Sequence, residues 1–146
     1  MRNGLNLLKN RKDLRREQLE MTVDAMNKAF RNANVTNYEE LIPKLKLPDK
    51  DDRHVLASAI KSSASKILTF NLKDFPFELL SEYNVSAQSP DDFLVKLFEA
   101  ERDYVCRGIN KMISRLQNPP MSKSDVAQTL VKCKLPQTAG NIIKYC

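Results

Sequence analysis

The sequence predicts an α/β protein in which a short parallel sheet is layered with helices and is followed by an all-helical C-terminal region. The apolar run from Ile67 to Phe70 follows a helical pattern directly, and a second short strand pattern, VSAQ, follows the next helix. Alternation of helices and strands is typical of a parallel sheet. From Ser89 onward, only helical patterns recur. We therefore expect an α/β domain over residues 1–88 and a helical extension over residues 89–146.

Composition limits the class of protein. The chain has 146 residues, of which 42% are hydrophobic, enough for one domain with an ordinary core. Its formal charge of +6 favours a polyanion or an acidic protein as partner, and charge alone does not choose between them. The sequence shows neither an apolar run of about 18 residues nor a secretory signal, so we expect a soluble, cytoplasmic protein without a membrane partner.

The cysteines favour a reducing compartment. Cys106, Cys133 and Cys146 are odd in number, widely spaced and without a CxxC pair. This pattern predicts reduced thiols rather than a disulfide framework or a zinc site.

The first helical pattern runs from a candidate N-cap, Asp13, to Phe30. Its apolar residues recur at helical spacing and predict one buried stripe, formed by Leu19, Val23, Met26 and Phe30. Met21 is also expected to fill the core. A short strand is expected at residues 33–35, and one helical turn then ends near Pro43, because proline lacks the amide hydrogen.

Two cap patterns predict the starts of C-terminal helices. Ser89 is followed by a proline and two acids, and Ser122 is followed three residues later by Asp125. The helix between them, over about residues 101–117, is stopped by Asn118 and two prolines. Pro136 ends the helix that Ser122 begins.

Acidic residues lie at two points that the predicted fold would bring together. Asp49, Asp51 and Asp52 precede a helix, and Asp74 follows the strand after it. A helix laid back over a parallel sheet would place both sets at one end of the sheet. Clustered carboxylates bind divalent metal ions, and such an ion supports hydrolysis of phosphodiesters. The alternative is that Asp51 or Asp52 only caps the helix, a common role for aspartate.

Two motifs in this segment resemble the PIN-domain ribonucleases, in particular the toxins of bacterial type II toxin-antitoxin pairs. The stretch from Asp52 to Ala59, DRHVLASA, fits the family's D-x-x-[IVL]-[AL]-A-x-A helix start. The stretch from Thr69 to Phe75, TFNLKDF, fits its T-x-[DN]-x-x-D-F strand end. The stretches MNKAF, NYEELIPKLKLPD, SPDDFL and QNPPMS extend the likeness over nearly the whole chain.

The resemblance implies a PIN-like endoribonuclease that depends on Mg²⁺ or Mn²⁺, hydrolyses RNA and is held silent by a cognate antitoxin protein. It implies that Asp52 and Asp74 are the catalytic, metal-binding acids. Asn71 stands where many members have aspartate, so which of Asn71 and Asp74 faces the metal stays open. Thr69 would support the site, and a homodimer is compatible with the resemblance. Asp49 and Asp51 are expected to be caps or supporting acids.

The chain also departs from the family pattern. The family opens with a strand that ends in aspartate, followed by a helix that carries a glutamate of the same cluster. Here MRNGLNLLKNRKDL resembles the region after that glutamate. We therefore expect an N-terminally incomplete sheet and an incomplete acidic cluster. The alternative function is a truncated, non-catalytic relative that binds antitoxin or RNA. A basic helical adaptor within residues 89–146 is a third hypothesis.

Several basic residues are candidate RNA contacts. Arg53 lies beside Asp52, and Arg107, Lys111 and Arg115 recur at a spacing of four residues, which places them on one helix face. For this stripe, contact with RNA and plain solvent exposure are equally consistent with the pattern. For the basic N-terminal stretch, Lys9 to Arg16, a solvated helix end is the simpler interpretation and contact with RNA phosphates is the alternative. His54 is the sole histidine, so a structural role is the simpler interpretation.

Overall fold

The computed structural model describes residues 16–31 and 33–146. In chain order, the helices and strands are α1 (Arg16–Ala29), α2 (Arg53–Lys61), β1 (Lys66–Leu68), α3 (Phe77–Ser81), β2 (Ser86–Gln88), α4 (Pro90–Ala100), α5 (Arg102–Arg115), α6 (Lys123–Lys132) and α7 (Pro136–Tyr145). Short 3₁₀ turns cover Glu39–Lys44, Lys50–Asp52 and Leu72–Asp74. Within the described ranges, no helix is long and apolar enough to cross a lipid bilayer. The expected cap Asp13 and most of the N-terminal basic stretch lie outside the described residues.

In the described part of the chain, the sheet consists of β1 and β2, which pair in parallel with Ile67 opposite Ala87. A parallel pair needs a crossover connection, and α3 lies in it. The expected α/β class is confirmed in its coarse form, a helix-rich chain with a small parallel sheet. The strand expected at residues 33–35 is wrong, since this stretch is irregular. A strand needs a neighbour for its backbone groups, and neither described strand pairs with it.

The core of the α/β part forms where α2 packs on β1. Leu56 and the two small residues Ala57 and Ala59 are buried on one face of α2 and let the helix approach the strand closely. The buried cluster consists of Leu45, Leu47, Leu56, Ala57, Ala59, Ile67, Phe75, Leu80 and Val85. Burial of this apolar surface is the main stabilising term for the sheet and its helix.

The C-terminal helices begin where their caps predict. The Ser89 hydroxyl accepts a hydrogen bond from the Asp92 amide, and Pro90 occupies the first turn of α4. Ser122 and Asp125 form a reciprocal capping box at the start of α6. Pro136 was expected to end α6, but α6 already ends at Lys132, and Pro136 instead opens α7. The buried residues of these helices include Phe98, Val126, Ala127, Ala139 and Ile142.

One buried carboxylate joins α4 to α7. Asp91, only 5% exposed, accepts hydrogen bonds from the amides of Gln137 (3.0 Å) and Thr138 (2.9 Å) and from the Thr138 hydroxyl (2.6 Å). The first amides of a helix have no partner within it, so Asp91 caps α7 from another helix. Burial alone would raise the pKa of Asp91, but the hydrogen bonds from Thr138 and Gln137 outweigh it, and the pKa lies below its ordinary value.

The helix α1 differs from its predicted environment. Its helical state is confirmed, with acidic Glu17 in the first turn and basic Lys28 in the last. The prediction of a buried stripe is wrong, because no residue of α1 is buried. Met21 is 72% exposed, and Phe30, just after the helix, is 67% exposed. The periodicity predicted an apolar face. It could not show whether another part of this chain covers that face.

The expectation of three reduced thiols is also wrong. Cys106 on α5 and Cys146 after α7 form a disulfide with their Cα atoms 5.1 Å apart, whereas Cys133 is free and exposed. The sequence separation of 40 residues is closed by the packing of α5 against α7. Spacing along the chain does not reveal such a contact.

Loss of the disulfide should destabilise the helical region. Closing a 40-residue loop in the unfolded chain corresponds to up to about 4 kcal/mol in the chain-entropy model. We expect Cys106→Ser to lower the free energy of unfolding by about 2–4 kcal/mol, measured by urea denaturation without reductant. Cys133→Ser is the matched control and should change it by less than about 0.5 kcal/mol. An equal effect of both substitutions would contradict the cross-link.

Removal of the Asp91 charge should lower the stability by an amount that depends on pH. The folded state lowers the pKa of Asp91, so its contribution is present above the ordinary value of 3.8 and is lost as the pH falls through the folded pKa. At pH 7, Asp91→Asn should cost about 2–3 kcal/mol in urea denaturation. The difference from the wild type should shrink as the pH falls below 3.8. Asp92→Asn, at an exposed position, is the control and should cost less than about 1 kcal/mol.

Candidate metal centre

A short 3₁₀ turn places two aspartates on one side of the chain. The Asp49 carboxylate caps the turn Lys50–Asp52 by accepting the Asp51 amide at 2.8 Å. Side chains three residues apart eclipse in a 3₁₀ helix, so Asp49 and Asp52 project in the same direction. Asp52 occupies the N-cap position of α2, yet among the described residues its carboxylate accepts no capping hydrogen bond. This carboxylate therefore remains available to a ligand.

The turn after β1 orients Asp74. The Thr69 hydroxyl accepts a hydrogen bond from the Asn71 amide at 3.0 Å, which fixes the start of the turn. The side-chain amide of Asn71 donates to an oxygen of Asp74. In this geometry, Asn71 holds Asp74, and it is the Asp74 carboxylate that faces the other acids.

The two turns bring three carboxylates together. One oxygen from each of Asp49, Asp52 and Asp74 lies within 4.8 Å of the others. Asp52 and Asp74 are half-buried, whereas Asp49 is exposed. Hard divalent cations prefer oxygen ligands of this kind, and Mg²⁺ commonly takes only one or two carboxylates and keeps several waters. The donor set therefore fits Mg²⁺ or Mn²⁺.

The electrostatics of Asp52 are those of a repulsive cluster. Partial burial and the negative charges of Asp49 and Asp74 raise the pKa of Asp52, while His54 acts in the opposite direction. A carboxylate next to like charges is costly to ionise unless a cation neutralises it. Asp52 thus contrasts with Asp91, whose hydrogen-bond donors lower its pKa.

The neighbours of Asp52 are held by backbone carbonyls. The Arg53 Nε donates to the Lys50 carbonyl at 3.0 Å, so this guanidinium is anchored beside the acids. His54 Nδ1 contacts the Asp51 carbonyl, which gives the histidine a local structural partner. Asp51 itself is not part of the three-acid cluster.

The other candidate RNA contacts lie in the helical region. Arg107, Lys111 and Arg115 are exposed on α5. The main contacts of α5 are with α4, α6 and α7 rather than with the turns that carry the acids. The structure therefore gathers Asp52, Asp74 and their supporting residues at one place and leaves the basic stripe on another part of the chain.

Asp49 is the member of the cluster that sequence reasoning undervalued. It was expected to be a cap or a supporting acid, and in the structure it is both a cap and one of the three clustered carboxylates. The D-x-x-D spacing from Asp49 to Asp52 was the available signal. This spacing places both side chains on one side only if the segment forms a helical turn, which the sequence did not reveal.

Two comparisons with known proteins show what the chain resembles. Residues 90–142 match the family model described as the VapC50 C-terminal domain. Over 103 residues, the chain is 34% identical to a protein of Mycobacterium tuberculosis (strain ATCC 25618 / H37Rv) named "Putative ribonuclease VapC50". Both matches support a relationship to the VapC-type PIN toxins.

The match to VapC50 has defined limits. The aligned stretch is 70% of this chain and 60% of VapC50, so the chain spans less than two thirds of that relative. No solved structure matches the chain. The family model lies on α4 to α7, whereas the acids lie before it.

Asp52→Asn should stabilise the metal-free protein slightly and should reduce the stabilisation that a metal ion provides. Without metal at pH 7, removal of one repelling charge should raise the free energy of unfolding by less than about 1 kcal/mol. With Mn²⁺, the wild type should melt at a higher temperature because the ion binds only the folded state, and the variant should lose most of this shift. Differential scanning fluorimetry with EDTA or Mn²⁺ measures both effects.

Asp92→Asn is the control and should retain the wild-type response to Mn²⁺. A full Mn²⁺ response in Asp52→Asn would contradict the metal centre.

Proposed function

We propose that this chain carries the acidic centre of a PIN-type, Mg²⁺- or Mn²⁺-dependent endoribonuclease, the toxin of a toxin-antitoxin pair. The observation that carries the proposal is the convergence of Asp49, Asp52 and Asp74 from two separate turns. The name of VapC50, a relative at 34% identity, supports ribonuclease chemistry. The substrate is RNA, the regulator is a cognate antitoxin protein, and the compartment is the cytoplasm.

Each residue of the centre has a proposed role. Asp52 and Asp74 hold the cation, and Asp49 completes the oxygen ligands while it caps its own turn. Asn71 is a positioning residue, since its amide holds Asp74, and Thr69 fixes the backbone of Asn71. When bound, the cation supplies a nucleophilic water and stabilises negative charge on the phosphate. Arg53, anchored by the Lys50 carbonyl, contacts an RNA phosphate.

The geometry also supports the proposed division of the chain. Residues 1–88 form the PIN-like part, in which β1 and β2 belong to a parallel sheet, and residues 89–146 form the helical extension. The match of residues 90–142 to a C-terminal domain model supports a boundary near Ser89. Arg107, Lys111 and Arg115 of the extension contribute sequence-independent contacts to the RNA backbone.

The proposal is tested by cleavage of single-stranded RNA with the 146-residue chain. We expect cleavage with Mg²⁺ or Mn²⁺ and none with EDTA. Asp52→Asn and Asp74→Asn should each reduce the rate about 100-fold or more, since loss of metal binding removes several kcal/mol of transition-state stabilisation. Asn71→Ala should reduce it about 10- to 100-fold, because it only positions a ligand.

Asp92→Asn again serves as the matched control and should cleave at the wild-type rate. The nuclease proposal fails if the chain binds RNA without cutting it and Asp52→Asn leaves this behaviour unchanged. The chain is then a binding module.

A further inference from the structure

An exposed aromatic side chain lies in the segment that orients Asp74. Phe70 is the second residue after β1 and is 53% exposed. Its chain neighbours, Thr69 and Asn71, are the residues that orient Asp74. A phenylalanine at such a position leaves apolar surface in water, and the buried core already has Phe75 from the same segment. Unlike Phe75, Phe70 therefore has a ring that a ligand can reach.

A lysine from the helical extension covers one side of this ring. The Lys134 Nζ lies 5.8 Å from the centroid of Phe70, within the range of a cation–π contact. Lys134 is itself exposed, so the pair lies in water, where such contacts contribute little to stability. The contact joins the turn of the acidic centre to the end of α6.

The backbone of Lys134 is unusual for its residue type. Its φ is 63°, in the left-handed region where glycine is usual. Its amide donates to the Val131 carbonyl (3.0 Å), and the Leu135 amide donates to the Leu130 carbonyl (2.9 Å), the pattern of a Schellman helix end. Glycine would form this end with less strain. The lysine side chain at this position thus opposes the local backbone preference.

We infer that Phe70 and Lys134 form a subsite for single-stranded RNA next to the acidic centre. One nucleobase stacks on the open side of the Phe70 ring, and the Lys134 ammonium pairs with a neighbouring phosphate. Every base has an apolar face, so this contact binds RNA without strict sequence preference. The inference rests on the proposed function, in which RNA is the substrate. It adds two residues, Phe70 and Lys134, that position the RNA strand.

Charge supports RNA over an apolar protein surface as the occupant. The ring is paired with a cation, and the chain as a whole carries a net charge of +6. A cation beside an aromatic ring matches the phosphate and base of one nucleotide. A protein partner on the same surface is the competing outcome of the experiment.

The test measures binding without cleavage. Fluorescence anisotropy in EDTA is recorded for the 146-residue chain with a short single-stranded RNA and with copies that each lack one base. Phe70→Leu should raise the Kd for intact RNA about 5- to 150-fold, whereas Phe70→Tyr should stay within about twofold. For the RNA that lacks the stacked base, Phe70→Leu and the wild type should bind equally.

The lysine has a matched control two residues away. Lys134→Ala should weaken binding more than Lys132→Ala and should reduce the slope of log K against log salt by about 0.7, the value for one phosphate of a single strand. Lys134→Gly should weaken binding in the same way while unfolding at the wild-type urea concentration or higher, since glycine relieves the left-handed backbone. If Lys134 had only a structural role, Lys134→Gly would not weaken RNA binding while leaving the stability unchanged or higher.

The results separate this subsite from the nuclease proposal. The subsite is overturned if the chain does not bind RNA, if Phe70→Leu binds as the wild type does, or if it weakens intact and base-deleted RNAs equally. It is also overturned if Phe70→Leu impairs only binding of an antitoxin protein. If the Phe70 and Lys134 variants behave as expected but neither metal nor Asp52→Asn affects cleavage, the subsite stands and the nuclease proposal fails.

Discussion

The packing of α2 back along β1 is the contact on which the candidate centre depends. The turn between them is short, so the helix and the strand run in opposite directions, and the beginning of α2 lies beside the end of β1. Leu56, Ala57 and Ala59 hold this arrangement with buried apolar surface. Without this packing, nothing would bring together the carboxylates of Asp52 and Asp74, which are 22 positions apart in the sequence (74 minus 52).

Two aspartates of the chain illustrate opposite uses of the same side chain. Asp91 receives three hydrogen bonds and is stable as an anion, so it joins α4 to α7. Asp52 is partly buried and faces other carboxylates, and both effects raise its pKa, so positive charge nearby would stabilise its anion. The first arrangement is typical of a structural bond, and the second is typical of a binding site. Their surroundings, rather than their sequence contexts, separate the two roles.

Local patterns in the sequence predicted what local physics determines. Ser89 and Ser122 cap helices because their hydroxyls bond to amides three residues away, a relation visible in the sequence. The meeting of Asp52 and Asp74 was predictable because helix and strand alternation limits the topology. The Cys106–Cys146 bond was not, since it depends on how α5 and α7 pack. The exposed face of α1 was missed for a related reason, because periodicity describes a face and not its neighbour.

Among the described residues, α1 adds nothing to the buried core, so the stability of the described chain is unevenly distributed. A helix of 14 residues without buried contacts depends on its own hydrogen bonds and on local pairs such as Arg16 with Glu20. Isolated helices of this length are marginal in water. Opening of α1 would expose almost no surface that is not already exposed, so it has little thermodynamic link to the unfolding of the core. Its amide protons would therefore exchange with solvent through local fluctuations, long before those of α2 or α7.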